Sequence, residues 1–190
     1  MILYGSYTSP FVRHCRIALL SANIDFELVD TDYASSSEKS PAKKVPFLQD
    51  GDLTLSDSSS ILLHIKQKSG QAGFVDVVDF DLYTLANTAL DSEINLFILG
   101  NSGVTPENND YMLRQKNRVN ACLEELNTII SSTDITDHKY SDGQLRLACL
   151  LAWGVFRNRF SLEEFSALNE FLSTINTWEL FDATSPDKTS

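Results

Sequence analysis

Along the first third of the chain the apolar positions change period repeatedly. Ile2-Leu3-Tyr4 is a short β-prone run, and from Pro10 to about Ala22 the residues Phe11, Cys15, Ala18 and Leu19 recur at helical spacing. That face would turn Cys15 into a core, as a small buried hydrophobe. Ser9 is a favoured N-cap and Pro10 suits the first helical position, where its missing N–H would have no partner. Asp25-Phe26-Glu27-Leu28-Val29 alternates polar and apolar and predicts a second strand. Residues 31–44 are polar and Ser-rich, which predicts a loop with at most one short helix. Val45 to Leu55 then predicts a hairpin turning at Asp50-Gly51, with Pro46 at the first position of its strand. Ser56-Asp57-Ser58-Ser59-Ser60 is dense in capping side chains ahead of the helical run Ile61-Leu62-Leu63-His64-Ile65.

The order strand, helix, strand, irregular segment, hairpin, helix predicts a compact α/β domain over residues 1–68, followed by a linker over 69–78. Residues 79–190 read as all-helical. Leu82, Leu85, Ala86, Ala89, Leu90, Ile94 and Phe97 keep helical spacing until Gly100 and Gly103, and Thr105-Pro106 predicts a restart. The restarted helix carries Met112, Val119, Cys122, Leu123, Leu126 and Ile130. Ser141-Asp142-Gly143-Gln144 fits a capping box before a helix apolar on nearly every side, from Leu145 to Trp153, as the centre of a bundle would be. Ser161 is placed to cap a helix carrying Leu162, Phe165, Leu168, Phe171 and Leu172. The polar tail from Thr184 to Ser190 predicts a loose end.

Composition narrows the function classes. The 26 acidic residues outnumber the 15 basic ones, giving a formal net charge of -11, and the basic residues form no run. That balance argues against nucleic acid or an anionic membrane as partner. No stretch approaches the apolar length of a membrane span, and Arg13, His14 and Arg16 spoil the N-terminus as a signal peptide. Cys15, Cys122 and Cys149 are odd in number and widely spaced, which predicts a reducing, cytoplasmic setting. His14, His64 and His138 lack ligand spacing, so no metal site is expected and all three are assigned structural or surface roles.

Chemistry then rests on two helix starts, at Ser9-Pro10 and at Asp57-Ser58, where backbone N–H groups and the positive end of the helix dipole favour negative charge. Ser9-Pro10-Phe11-Val12-Arg13, the Pro41-Ala42-Lys43-Lys44-Val45-Pro46-Phe47-Leu48 run and Leu55-Ser56-Asp57-Ser58-Ser59-Ser60-Ile61 stand in order ahead of a helical half. In that half, Arg114-Gln115 with Val119, Leu123 and Leu126 looks like a fifth helix, and the Ser141 capping box like a folding box. Together these resemble the soluble glutathione S-transferases of serine type. The resemblance implies a thioredoxin-like βαβ-ββα domain followed by an all-helical domain. It departs from the pattern where Lys43 replaces the usual glycine and Gln144 the usual acidic residue.

The resemblance also implies roles. Glutathione would be co-substrate, with Ser9 donating to its sulfur and Tyr7, ahead of Tyr4, as competitor for that role. Phe11 would belong to the same site. Val45, before a cis Pro46, would pair with the cysteinyl backbone. Asp57 and Ser58 would hold the γ-glutamyl end, and Lys44 the glycyl carboxylate. A small electrophile would be the second substrate, near Tyr7, Phe11, Leu90, Asp91, Ile94 and Phe97, and the chain would form a homodimer. Ser9 and Val12 fill the places where redox relatives carry cysteines, which disfavours disulfide exchange. The alternative is a non-catalytic protein of the same fold, serving as a ligand-binding or protein-interaction module.

Overall fold

The computed structural model describes residues 1–71, 73–133 and 139–188, so His138, Thr189 and Ser190 lie outside the described residues. The chain divides into two compact units, Met1–Gly73 together with Asn176–Ser190, and Phe74–Ile175.

In the first unit, β1 (Ile2–Tyr4), β2 (Glu27–Val29), β3 (Phe47–Asp50) and β4 (Leu53–Leu55) form one sheet in the order β2-β1-β3-β4. β1 runs parallel to β2, with helix α1 (Pro10–Ser21) as the crossover, and antiparallel to β3. Cα partners Leu3 and Leu48 point to the same face and are fully buried. The β3–β4 turn pairs Asp50 with Leu53, and of its two loop residues only Gly51 has a positive φ, 61°. Glycine takes that conformation without steric cost, so Asp50-Gly51 was a sound hairpin signal. The polar segment holds one helix, α2 (Tyr33–Lys39), started by Asp32, which accepts from the Ser35 N–H at 2.8 Å. Helix α3 (Ser58–Lys68) packs beside α1.

The buried side of α1 is wider than its apolar spacing predicts. Of the predicted face, Cys15 and Leu19 are buried while Phe11 and Ala18 are half-buried, and Val12, Arg13, His14 and Ile17 are buried as well. Arg13 is covered by the segment from Asn176 onward, which the sequence assigned to the helical domain. Its helix, counted here as α8 (Glu179–Ala183) after the four helices of the second unit, packs on α1. Phe181 and Thr184 are both fully buried and a single turn follows at Pro186–Lys188, so Thr184 is not the beginning of a loose end as predicted.

The second unit consists of α4 (Val77–Gly100), α5 (Asp110–Ser131), α6 (Asp142–Phe156) and α7 (Ser166–Ile175). Helix α4 packs on α5 and α6, and α7 on the same two helices. As predicted, α6 is the buried centre: Leu145, Leu147, Ala148, Leu150, Leu151 and Trp153 are in the core, and so is Arg146, whose Nη2 donates to the Tyr83 hydroxyl at 2.7 Å. Its capping box is complete, with Gln144 N–H to Ser141 Oγ at 3.2 Å and Ser141 N–H to Gln144 Oε1 at 2.9 Å. The start of α6 is also pressed against α4. Asp79 Oδ1 accepts from the Gly143 N–H at 2.9 Å, and a Cβ on Gly143 would lie 2.6 Å from the Asp79 carbonyl oxygen.

Two predicted helix starts are displaced. Thr105-Pro106 opens a turn, closed by Asn108 Oδ1 accepting from the Thr105 N–H at 2.9 Å, and α5 begins at Asp110 under Asn109, which accepts from Tyr111 and Met112. Asparagine side chains compete for backbone groups here, and proline alone does not set the boundary. Ser161 accepts from the Glu163 N–H, whereas the first N–H groups of α7, on Ala167 and Leu168, donate to Asn127 Oδ1 of α5 at 3.1 and 3.3 Å.

Candidate functional site

Register decides where the loops go. Because Tyr4 pairs with Phe47, and Leu48 with Leu55, the end of β1, the start of β3 and the end of β4 lie at one end of the sheet. The turn leading to Ser9, the Val45-Pro46 approach and the Ser56-Asp57 exit therefore leave from the same edge. Three stretches far apart in sequence are brought together by strand direction alone.

The first of them is a compact turn. The Ser9 N–H donates to the Ser6 carbonyl at 3.0 Å, and Ser6 Oγ meets Thr8 Oγ1 at 3.2 Å. Ser9 has extended φ and ψ of -76° and 125° and accepts from the Val12 N–H at 3.4 Å, capping α1 as predicted. That bond uses an oxygen lone pair and leaves the hydroxyl proton to be donated elsewhere. Tyr7 and Phe11 are half-buried. The Tyr7 ring lies under the Arg16 guanidinium, 5.2 Å from centroid to Cζ. Tyr4 is engaged on the sheet, stacked on Phe47 at 4.5 Å with its hydroxyl donating to Gln49.

The second stretch contains the expected cis Val45-Pro46 bond. Pro46 is buried, Val45 half-buried and Lys44 exposed. Lys43 has a φ of 51°, and its N–H donates to the Ser40 carbonyl at 3.0 Å. A left-handed residue closes this loop, which explains why glycine is usual at that position in the resembled pattern.

The third is the start of α3. Asp57 caps it, Oδ1 accepting from the Ser59 N–H at 2.9 Å, while Oδ2 pairs with Lys44 Nζ at 3.0 Å. Lys44 and Asp57, expected to serve opposite ends of a ligand, thus face each other across a half-exposed ion pair. Burial works to raise the Asp57 pKa, but the Ser59 N–H and the Lys44 ammonium outweigh it, and the carboxyl sits below its ordinary range. Ser58, the first helical residue, is buried, and its carbonyl accepts from the Cys15 thiol at 4.0 Å. Cys15 is therefore a packed joint between α1 and α3, inside the protein rather than at the turn.

Of the residues expected near a second substrate, Leu90 is fully buried in the helical unit, and Phe97 stands edge-on to Trp153 at 5.6 Å. Sequence reasoning gave Arg13 no role. It is buried, with Nη2 donating to the Phe181 carbonyl at 2.7 Å and its guanidinium 3.7 Å from the Phe181 ring centroid. A cation on an otherwise apolar helix face was the available signal, although its partner 168 residues away was not.

Residues 3–73 match the family described as glutathione S-transferase, N-terminal domain. Over 73 residues the chain is 41% identical to glutathione S-transferase 4 of Zea mays, a stretch covering 35% of this chain and 33% of the maize protein. Solved structures match nearly the whole chain. Gtt2 from Saccharomyces cerevisiae aligns with a TM-score of 0.82 at 18% identity, over 97% of this chain and 100% of that one. A glutathione S-transferase from Methylobacillus flagellatus, solved with glutathione bound, aligns with a TM-score of 0.84 at 18% identity, over 97% and 98%. The fold is that of the glutathione S-transferases. Its thioredoxin-like portion is the one that carries all three stretches of the candidate site. Among the described residues, no group of three or more His, Cys, Asp or Glu side chains could hold a metal, and no helix is long and apolar enough to cross a membrane.

Proposed function

We propose that this chain is a glutathione transferase in which Ser9 donates a hydrogen bond to the glutathione sulfur. The observation that carries the reading is the convergence of two capped helix starts and the cis Val45-Pro46 loop at one sheet edge. A tripeptide with a thiol in the middle and charge at both ends needs this set of groups. The Val45 backbone can pair with the cysteinyl residue as an added strand would. The γ-glutamyl carboxylate meets the N–H groups and hydroxyl at Ser58, its ammonium meets Asp57, and the glycyl carboxylate meets Lys44. For this, Lys44 and Asp57 exchange each other for the ligand. An exposed ion pair is worth at most about 1 kcal/mol, so the exchange costs little.

A free thiol has a pKa near ~8.5, and the start of a helix together with a donated hydrogen bond lowers it. The Ser9 hydroxyl keeps its own proton. The thiol releases its proton to solvent, and the thiolate forms a carbon–sulfur bond to a small electrophile. The bond from that carbon to its leaving group breaks and the group departs with the electron pair, or, at an activated double bond, the π pair moves to the acceptor group and is protonated from solvent. Phe11, half-buried one residue past Pro10, would supply apolar surface beside the sulfur. Tyr7, its ring under Arg16, is the competing donor. Likeness to a maize glutathione S-transferase over 73 residues, and a match of residues 3–73 to the glutathione S-transferase N-terminal domain, support the reading. A reducing cytoplasm, where glutathione is abundant, is the proposed setting, with a homodimer as the proposed assembly.

Retention on immobilised glutathione and conjugation of a chromogenic electrophile test it. Ser9→Ala should leave retention intact and cut conjugation by about tenfold or more, the scale of a lost hydrogen-bond donor to developing charge. An unchanged rate in that variant would move the role away from Ser9, and failure of the wild type to bind would remove glutathione altogether.

A further inference from the structure

Two arginines one turn apart on α1, Arg13 and Arg16, reach the end of α8. Arg13 donates to the Phe181 carbonyl at 2.7 Å and to Thr184 Oγ1 at 3.3 Å, and Arg16 Nη1 donates to the Thr184 carbonyl at 3.3 Å. The last carbonyls of a helix have no partner within it and carry the negative end of its dipole, so cations belong there. Arg16 does more than close α8. Its guanidinium also lies over the Tyr7 ring at 5.2 Å, in the turn that precedes Ser9.

The charge is held in place and only partly shielded. Burial pulls the Arg16 pKa down, with Tyr7 acting in the opposite direction, and a guanidinium remains charged at neutral pH. Of the charged groups around it, Arg13 has the same sign. The carboxylates of α8, Glu179 and Asp182, are exposed, and Asp182 is held by Lys188.

We infer that Arg16 is a positioning residue for the reaction proposed above: fastened to the Thr184 carbonyl, it fixes Tyr7 and keeps a positive charge beside the Tyr7–Ser9 turn, favouring ionisation of a thiol bound there. The inference rests on Ser9 facing the glutathione sulfur. It makes Thr184, at the end of α8, the anchor of that positioning residue.

The test is the pH titration of thiolate absorbance for glutathione bound to the wild type, Ser9→Ala, Arg16→Gln and Arg16→Lys, with kcat, KM and the thermal midpoint of each. Arg16→Gln should raise the pKa of the bound thiol by about half a unit or more, and should lower kcat more than it raises the KM for glutathione. Arg16→Lys keeps the charge and should titrate like the wild type. Should Arg16→Gln not fold, Arg16→Met, which keeps the stem and drops the charge, takes its place. A wild-type titration in the charge-removing variant overturns the inference, and so does an equal shift in both variants that follows lost thermal stability, the mark of a structural role. If Ser9→Ala shifts the titration and Arg16→Gln does not, only the Arg16 inference falls. If the wild type itself fails to ionise glutathione, the Ser9 reading falls and this one with it.

Discussion

At the scale of single residues, Lys43 is where this chain departs most clearly from what its backbone wants. A side chain at a φ of 51° sits in the left-handed region, which costs an L-residue about 1 kcal/mol. Lys43→Gly should therefore stabilise the protein by up to about 1 kcal/mol, read as a higher denaturation midpoint in urea, while Lys43→Ala, equally strained, should not. The position was legible in the sequence only as a missing glycine, since a backbone angle has no signature when an ordinary residue adopts it. Asp57 was legible as a cap, and its second partner was not, because Lys44 reaches it across 13 positions of sequence. Its lowered pKa has a consequence for stability. Since the folded carboxyl binds a proton less readily than the unfolded one, near 3.8, its contribution is present above that value and is lost as pH falls through the folded pKa. The urea midpoint should thus drop below about pH 4, and Asp57→Asn should make that drop shallower.

At the scale of elements, the strands and the starts of α1, α3 and α6 followed from local pattern because their caps are local. Ser9, Ser141 and Gln144 find partners within three residues. Where the cap comes from another helix, periodicity fails. Helix α7 was predicted from Ser161, but its first N–H groups are met by Asn127 of α5, 40 and 41 positions away. Asn127→Ala should cost about 1 kcal/mol, the value of a lost N-cap, and should show first as faster amide exchange at Ala167 and Leu168. The width of the α1 core face failed for the same reason: a helix covered from two directions does not show one apolar stripe.

At the scale of the whole molecule, the first unit is made of two pieces of chain, Met1–Gly73 and Asn176–Ser190, which no local pattern could join. A fragment of residues 1–73 should be less stable than the same fragment mixed with a peptide of residues 176–190, and a peptide carrying Phe181→Ala should give back little of the difference, as judged by chemical denaturation. If the short fragment is unaffected by the peptide, the Arg13 and Arg16 contacts contribute nothing to that unit. The arrangement also imposes an order in time. Arg13 leaves the ribosome 168 residues before Phe181 does, a delay of roughly 10 to 30 s at common rates of synthesis. During that interval the cation that will be buried has to stay in water, holding one side of α1 open. The amino-terminal unit, first to be made, is thereby among the last parts of the protein to be finished.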